Sequence, residues 1–406
     1  MIKPEILAPA GNIKNLKIAI DFGADAVYVG GSKLNLRAFA DNFTDDDLKD
    51  GIDYAHERGK KIYVTLNVFP HEDDLIGLDE YLIVLDQMKV DGIIVSDPGI
   101  IMISKTSAPN LELHLSTQAN NVNHQSAIFW HRNGIKRIVL AREMSFEEIK
   151  KLREKIPESL EIEVFVHGSM CMSYSGRCLL SNYMTGRDSN RGECTQPCRY
   201  KYRLVEEKRP GEYFEIFEDD RGSYIMSSKD LCMIKHIPEL MELGVHSFKI
   251  EGRMKSSFYV STVVKAYREA LDAYLENPKE YKFNKKWMDY LNMSSHREFF
   301  TGFYFGEEMK QTYHKESYIR NYDIVGIVKS YDEEKKTAFI EQRNKIYEGD
   351  EVGILRPKGD VEYTTLNDLY DGLNEKINST PNAQMEYYAK SEKQLFAGDI
   401  LIKQKK

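Results

Sequence analysis

The sequence predicts an α/β protein: a TIM-type (β/α)8 barrel with a cysteine-rich insertion after the seventh strand, plus a small C-terminal antiparallel β-barrel. Three observations predict it. Short, continuously apolar runs alternate with amphipathic stretches through about residue 275, the pattern of a parallel sheet buried on both faces. The alternation breaks once, across about residues 168–235. Beyond Asn277-Pro278 the pattern becomes short alternating runs punctuated by Gly349-Asp350 and Gly398-Asp399.

The first six strands are expected at Ile6-Leu7-Ala8, Ala26 to Val29, Ile62 to Leu66, Ile93 to Val95, Leu113 to Leu115 and Ile138 to Leu140. Helices separate them. Residues Asp74 to Val90 place Leu75, Leu78, Tyr81, Leu82 and Leu85 on one helical face. Ser145 with Glu148 has capping-box spacing and starts the helix before the seventh strand, Ile162 to Val166. The eighth strand, Ser247 to Glu251, precedes a long helix from about Ser256 to Leu275. Eight such units match a closed barrel, and an open doubly wound sheet is the alternative. The expected divisions are 1–280 for the barrel, 281–320 for a connector and 321–406 for the β-barrel. Within the insertion a hairpin (Tyr202 to Val205 with Tyr213 to Phe217) and a helix near Met233 to Leu243 are expected.

Composition bounds the function. Hydrophobic content of 42% supports a sizeable core, and a formal net charge of -8 argues against a protein that coats nucleic acid non-specifically. The opening residues lack a basic stretch followed by an apolar one, and no apolar run reaches membrane-spanning length, so a cytoplasmic location is expected. Thiols there stay reduced, which favours metal or redox chemistry for clustered cysteines.

All five cysteines fall between Cys171 and Cys232, spaced Cys-x6-Cys-x15-Cys-x3-Cys and then 33 residues to the last. Thiolates in this number can hold zinc or an iron–sulfur cluster. No Cys-x2-Cys zinc knuckle is present, and the long irregular gaps favour iron–sulfur, with zinc or unligated buried thiols as alternatives.

Glu163-Val-Phe-Val-His-Gly168-Ser-Met-Cys171, followed after four residues by Gly176-Arg-Cys178-Leu-Leu-Ser181, resembles the signature of the collagenase-like peptidase family U32. The resemblance extends to Leu7-Ala-Pro-Ala-Gly-Asn12, Gly23 to Gly31, Ser228 to Cys232 and Ser247 to Lys255. It implies more than one activity. The family name implies proteolysis, whereas several members are oxygen-independent hydroxylases that carry a 4Fe-4S cluster and use prephenate as oxygen source. The Cys194-Thr-Gln-Pro-Cys198 block beside Cys232 is most similar to members acting on the tRNA wobble uridine, giving 5-hydroxyuridine. By that resemblance Cys171, Cys178, Cys194 and Cys232 are the ligands and Cys198 is the spare or alternative one. Some members occur as paired paralogues, so a paralogous partner is possible.

The residues themselves favour neither common protease motif. His56-Glu57 and His71-Glu72 lack the second histidine of His-Glu-x-x-His, and Gly168-Ser169 lacks the later glycine of a nucleophile elbow. Polar residues cluster instead at strand ends: Asn67, Ser116, Gln118, Arg142, Glu143, His167, Lys249, Glu251 and Arg253. Arg142 and Arg253 are candidates for binding the two carboxylates of prephenate, with Asn67 and Gln118 as further co-substrate-binding groups. His167 is a candidate proton carrier or a structural histidine. Arg187, Arg191, Arg199, Lys201, Arg203, Lys208 and Arg209, interleaved with Tyr183, Tyr200 and Tyr202, suit an unpaired RNA base and its phosphates, or an ordinary solvated surface. The expected function is hydroxylation of tRNA, with a U32-type peptidase and a non-catalytic RNA-binding protein stapled by a metal as alternatives.

Overall fold

The computed structural model describes residues 2–34, 42–171, 178–199, 218–219, 222–223, 229–306 and 319–405. They form two compact units. The first is Met1–Trp287 with Arg297–Tyr318, and the second is Met288–His296 with Ile319–Lys406.

The first unit is a closed parallel barrel. Its strands are β1 (Glu5–Pro9), β2 (Ala26–Gly30), β3 (Lys61–Leu66), β4 (Gly92–Val95), β5 (Glu112–Leu115), β6 (Ile135–Val139), β7 (Glu161–Ser169) and, after the antiparallel β8 (Asp230–Cys232), β9 (Ser247–Ile250). Each parallel strand pairs with the next, and β9 pairs with both β7 and β1, which closes the ring of eight. All six apolar runs expected before residue 142 fall in strands, save Leu140 one residue past β6, because both faces of each strand are covered.

Helices cover the outside: α1 (Ile13–Asp21), α2 (Asp45–His56), α3 (Leu78–Gln87), α4 (Pro98–Ser107), α5 (His124–Arg132) and α6 (Phe146–Arg153). The expected helix from Asp74 splits, because Gly77 takes a left-handed φ of 65° and α3 starts after it. The Ser145–Glu148 capping box forms as expected at α6. Later come the short α7 (Leu180–Thr185) and α8 (Ile237–Glu242), then α9 (Ser257–Glu276), which Ser256 caps.

β7 belongs to two ladders. Glu163–Phe165 pair with Ser247–Lys249 of β9 and close the barrel. Beyond the barrel wall, His167–Ser169 run antiparallel to Cys232–Asp230 of β8, and β8 pairs on with β10 (Phe299–Phe300). The sequence did not suggest β8 or β10, because both are too short to show a period. The crossing needs Gly168: its φ is 113°, and a Cβ there would lie 2.5 Å from the Glu251 carbonyl oxygen. Arg297 bonds the Asp230 carboxylate at 2.8 Å and seals this edge with a buried ion pair.

The second unit is a closed antiparallel barrel of six strands: β11 (Tyr322–Asp332), β12 (Thr337–Gln342), β13 (Asp350–Leu355), β14 (Glu362–Asp371), β15 (Glu386–Lys390) and β16 (Ile400–Gln404), in the order β11-β12-β15-β14-β13-β16. Four of these contain the alternating runs of the sequence, Ile324 to Val328, Thr337 to Ile340, Glu351 to Ile354 and Ile400 to Ile402; β14 and β15 were not expected, since Glu and Asn interrupt their alternation. The end of α10 (Lys285–Met293) joins this unit rather than a separate connector. The interior is apolar, with Val325, Ile340, Val352, Leu366, Leu369, Tyr387 and Leu401 among its members.

Candidate active site at the barrel mouth

Strand parity decides what fills the parallel barrel. Tyr28, Tyr63 and Ile94 form an inward cluster with Leu7 and Ala26, and residues two positions away on the same strands share that face. Register partners share a face as well, so His114 (beside Ile94), Arg137 (beside His114), Lys249 (beside Leu7), Phe165 (beside Lys249) and Glu163, two residues before it, also face inward, and their contacts agree.

The lower half holds a buried ion network. Arg137 contacts Glu5, bonds Glu161 at 2.7 Å and lies 3.4 Å from Glu163. Lys249 Nζ bonds the fully buried Glu163 at 2.7 Å. Burial alone would raise the Glu163 carboxyl, but Lys249 and Arg137 hold it below the usual glutamate value. Burial lowers His114, whose ring packs 4.5 Å from that of Tyr63 and whose Nε2 lies 3.4 Å from Glu112. The sequence signal for this network is a charged residue inside an otherwise apolar strand, as Glu163 and Lys249 are.

Above the network is the mouth. Arg253 donates to Thr65 Oγ1 at 2.7 Å, a bond that crosses the inside of the barrel from the end of β9 to β3. Tyr28 donates to the Ile250 carbonyl at 3.0 Å and lies 3.2 Å from a Glu251 carboxylate oxygen. Arg142, beyond β6, donates to the Ser169 carbonyl at 2.9 Å, and its other terminal nitrogen lies 3.6 Å from Cys171 Sγ. The Phe165 ring lies 5.0 Å from the Arg142 guanidinium and 5.6 Å from Lys249 Nζ. On the opposite side Asn67 Nδ2 donates to Ser116 Oγ at 3.3 Å, which also accepts from the Gln118 backbone N–H at 3.4 Å. The structure therefore brings Arg142, Arg253, Glu251, Asn67, Ser116 and Gln118 to one end of the barrel, and keeps Lys249 below them in the ion network. Tyr28, Thr65 and Phe165 were missed by sequence reasoning, although their even spacing along inward strand faces could have found them.

His167 lies elsewhere. It is buried at the top of β7, with its ring 5.9 Å from Tyr259, 5.6 Å from Tyr267 and 5.4 Å from Phe299. Cys232 is its partner across the β7–β8 ladder, and burial pushes that thiol up to about 12.

The insertion is tied to the barrel beside β3. Phe69 N–H donates to the Asn190 carbonyl, and Arg191 makes two bonds with the Asp74 carboxylate, at 2.6 and 3.0 Å. The Arg191 bond holds Asp74 below the usual aspartate value. Arg191 is thus engaged within the protein; Arg187 and Tyr183 have exposed side chains. The side chain of Arg199, with Tyr200, Lys201, Tyr202, Arg203, Lys208, Arg209 and the expected hairpin, lies outside the described residues.

Cys171 is exposed beside Arg142, Cys178, Cys194 and Cys198 are partly covered, and Cys232 is buried. Four thiols suit an iron–sulfur cluster or zinc by their chemistry. In the described arrangement, however, no three His, Cys, Asp or Glu side chains come within reach of one ion. Cys232 interacts with Tyr267 of α9.

Comparison with known proteins agrees with the two-barrel architecture. Residues 320–401 match the family model described as peptidase family U32 C-terminal domain. A tRNA hydroxylation protein P1 of Bacillus subtilis is 42% identical, across 99% of this chain and 95% of its own length. A tRNA hydroxylation protein P of Escherichia coli is 37% identical, across 90% of this chain and 88% of its own. A collagenase of Porphyromonas gingivalis is 33% identical, across 87% and 86%. Residues 11–314, which carry the whole mouth except the first strand, match the model described as peptidase family U32, and the chain belongs to that family.

Proposed function

We propose that this chain hydroxylates the wobble uridine of tRNA, taking the oxygen from prephenate with the help of a 4Fe-4S cluster. The observation that carries the reading is its similarity, over nearly the full length of both chains, to proteins named for tRNA hydroxylation. The mouth supports it. Arg142 and Arg253 lie at the ends of β6 and β9, where a barrel enzyme binds its substrate. Guanidinium groups suit a ligand with two carboxylates. Phe165 and the Lys249–Glu163 pair form an apolar and charge-balanced floor beneath them.

Cys171, Cys178, Cys194 and Cys232 would hold the cluster, with Cys198 as the alternative ligand and zinc as the alternative metal. When bound, such a cluster supplies an electron-transfer or Lewis-acid centre. Arg142, 3.6 Å from Cys171 Sγ, would set a positive charge beside a cluster held there. His167, enclosed by aromatic rings, fits a structural role better than proton transfer at the mouth.

Mass spectrometry of tRNA nucleosides from a deletion strain tests the reading. Loss of the 5-hydroxyuridine-derived nucleosides, restored by the gene, is expected; their persistence in a strain with no second such enzyme would refute it. Anaerobic purification with an iron assay and a visible spectrum tests the cluster separately. The collagenase relative supports a peptidase as the second reading. It predicts gelatin cleavage that survives replacement of Cys171 by alanine.

A further inference from the structure

Helix α7 is built inside out. Its inward side is polar: Ser181 is 0% exposed, its Oγ accepts from the Thr195 N–H at 3.1 Å, and Thr185 donates to the Ser181 carbonyl at 2.8 Å. Its outward side is apolar. The Tyr183 N–H bonds the Leu179 carbonyl, so the two residues stand one turn apart, and they are 88% and 68% exposed. Met184, next to Tyr183, is exposed as well. A surface helix ordinarily turns its apolar residues inward. No other large apolar side chain among the described residues is as exposed as Tyr183.

The helix sits on a lobe fastened to the rim of the parallel barrel. Ser189 donates to the Cys178 carbonyl just before α7, which closes the lobe on itself. The Asn190 carbonyl accepts from Phe69, two residues past Asn67 at the mouth, and Arg191 holds Asp74. A target base must leave its stack to enter a barrel, and its neighbours in the loop then lose a stacking partner. An exposed aromatic ring at the rim restores one. Arg187, four residues past Tyr183, has an exposed side chain of the sign that phosphates attract. Three apolar side chains alone fall short of the roughly 800 Å² per partner that a stable protein interface buries.

We infer that Tyr183 stacks on an unpaired anticodon-loop base beside the wobble uridine, which makes α7 an RNA-docking surface. The inference rests on the proposed tRNA function and adds to it where the RNA is gripped.

Fluorescence anisotropy of the anaerobically purified full-length protein with labelled anticodon stem–loops tests this. One stem–loop is intact, and two others carry an abasic nucleotide on one or the other side of the wobble uridine. Tyr183→Ala should weaken binding of the intact stem–loop roughly 5–100-fold, the effect of losing one stacked base. Tyr183→Phe, which keeps the ring, should bind as the wild type does. One abasic stem–loop should show a similar loss with the wild type, and Tyr183→Ala should add nothing to it, because ring and base belong to one contact. Light scattering on the same proteins reports their assembly state. A folded Tyr183→Ala that binds intact RNA like the wild type, or two losses that simply add, overturns the inference and leaves the tRNA reading standing. So does a Tyr183→Ala that changes only the assembly state, which gives the surface to a second copy of the chain. A wild type that binds no stem–loop overturns the tRNA reading and the inference with it.

Discussion

One chain builds two closed barrels and fills them with opposite materials. The six-stranded barrel packs Val325, Ile340, Leu366 and Leu401 into a dry interior. The parallel barrel places Glu5, His114, Arg137, Glu163 and Lys249 inside instead, joined by ion pairs. The difference is one of purpose. Apolar side chains fill a closed barrel at no desolvation cost, whereas buried charges persist only if every one is matched. The parallel barrel carries that cost at the floor of its mouth, where fixed charge can hold Phe165, Tyr28 and the strand ends in one geometry.

The comparison is broken most forcefully by removing one charge. Glu163→Ala should destabilise the parallel barrel by about 3–5 kcal/mol, because Lys249 and Arg137 are left buried and uncompensated. Urea denaturation followed by amide exchange in β7 and β9 would measure it; a loss confined to the other barrel would contradict the network. Ile340→Ala is the matching change in the dry barrel. It should cost about 2–5 kcal/mol through the cavity it leaves, and that cost should not vary with pH.

At the mouth, Arg253→Ala should weaken apparent affinity for a dicarboxylate co-substrate by roughly 10–100-fold, the effect of losing one charge-assisted hydrogen bond. Unchanged saturation kinetics would remove Arg253 from the site.

Acid should separate the two interiors by sign. The His114 folded value lies below its ordinary 6.5 because it is buried, so the unfolded chain takes up the proton first. Its contribution is present above about 6.5 and is lost as pH falls below that value. Glu163, lowered by Lys249 and Arg137, adds a further loss as pH falls from about 4.5 through its folded value. Asp399 in the other barrel behaves oppositely. Burial raises its carboxyl, so its contribution is present below 3.8 and is lost as pH rises through the folded value. Melting temperatures of wild type and His114→Phe between pH 4 and 7.5 would show it: the loss that begins near 6.5 should vanish in the variant.

The smallest effect concerns the insertion, which only the parallel barrel carries. Asp74→Asn removes a partly exposed bidentate pair worth about 0.2–1 kcal/mol, so global stability should hardly change. Limited proteolysis within 178–199 should nonetheless quicken, since Arg191 is a tie between that segment and the barrel.

The parallel barrel was legible in the sequence because each strand is buried on both faces and announces itself as an unbroken apolar run. The mouth was half legible. Asn67 stands directly after such a run, and Arg142 and Gln118 stand two and three residues past theirs, so position alone points to them. Glu163 and Lys249 stand inside runs, and only strand parity reveals that they meet. β8 stayed hidden: Asp230-Leu231-Cys232 is too short for a period, and its pairing with β7 depends on residues sixty positions earlier. β14 stayed hidden for a different reason, since polar Asn367 and Asp368 interrupt its alternation. The position of the second barrel's first residues was also unreadable, because α10 looks like a single helix.

The shared α10 has a practical consequence for dissecting the molecule. The chain passes from the first unit to the second after Trp287, returns after His296 and leaves again after Tyr318. A fragment beginning at residue 320, where the C-terminal family match starts, lacks Met288–His296 and their buried Tyr290 and Leu291. One ending at residue 287 lacks β10 and the Arg297 partner of Asp230. Neither half can be released by a single cut. On the ribosome, therefore, the first unit completes its β8–β10 edge only after Met288–His296 of the second have already been made.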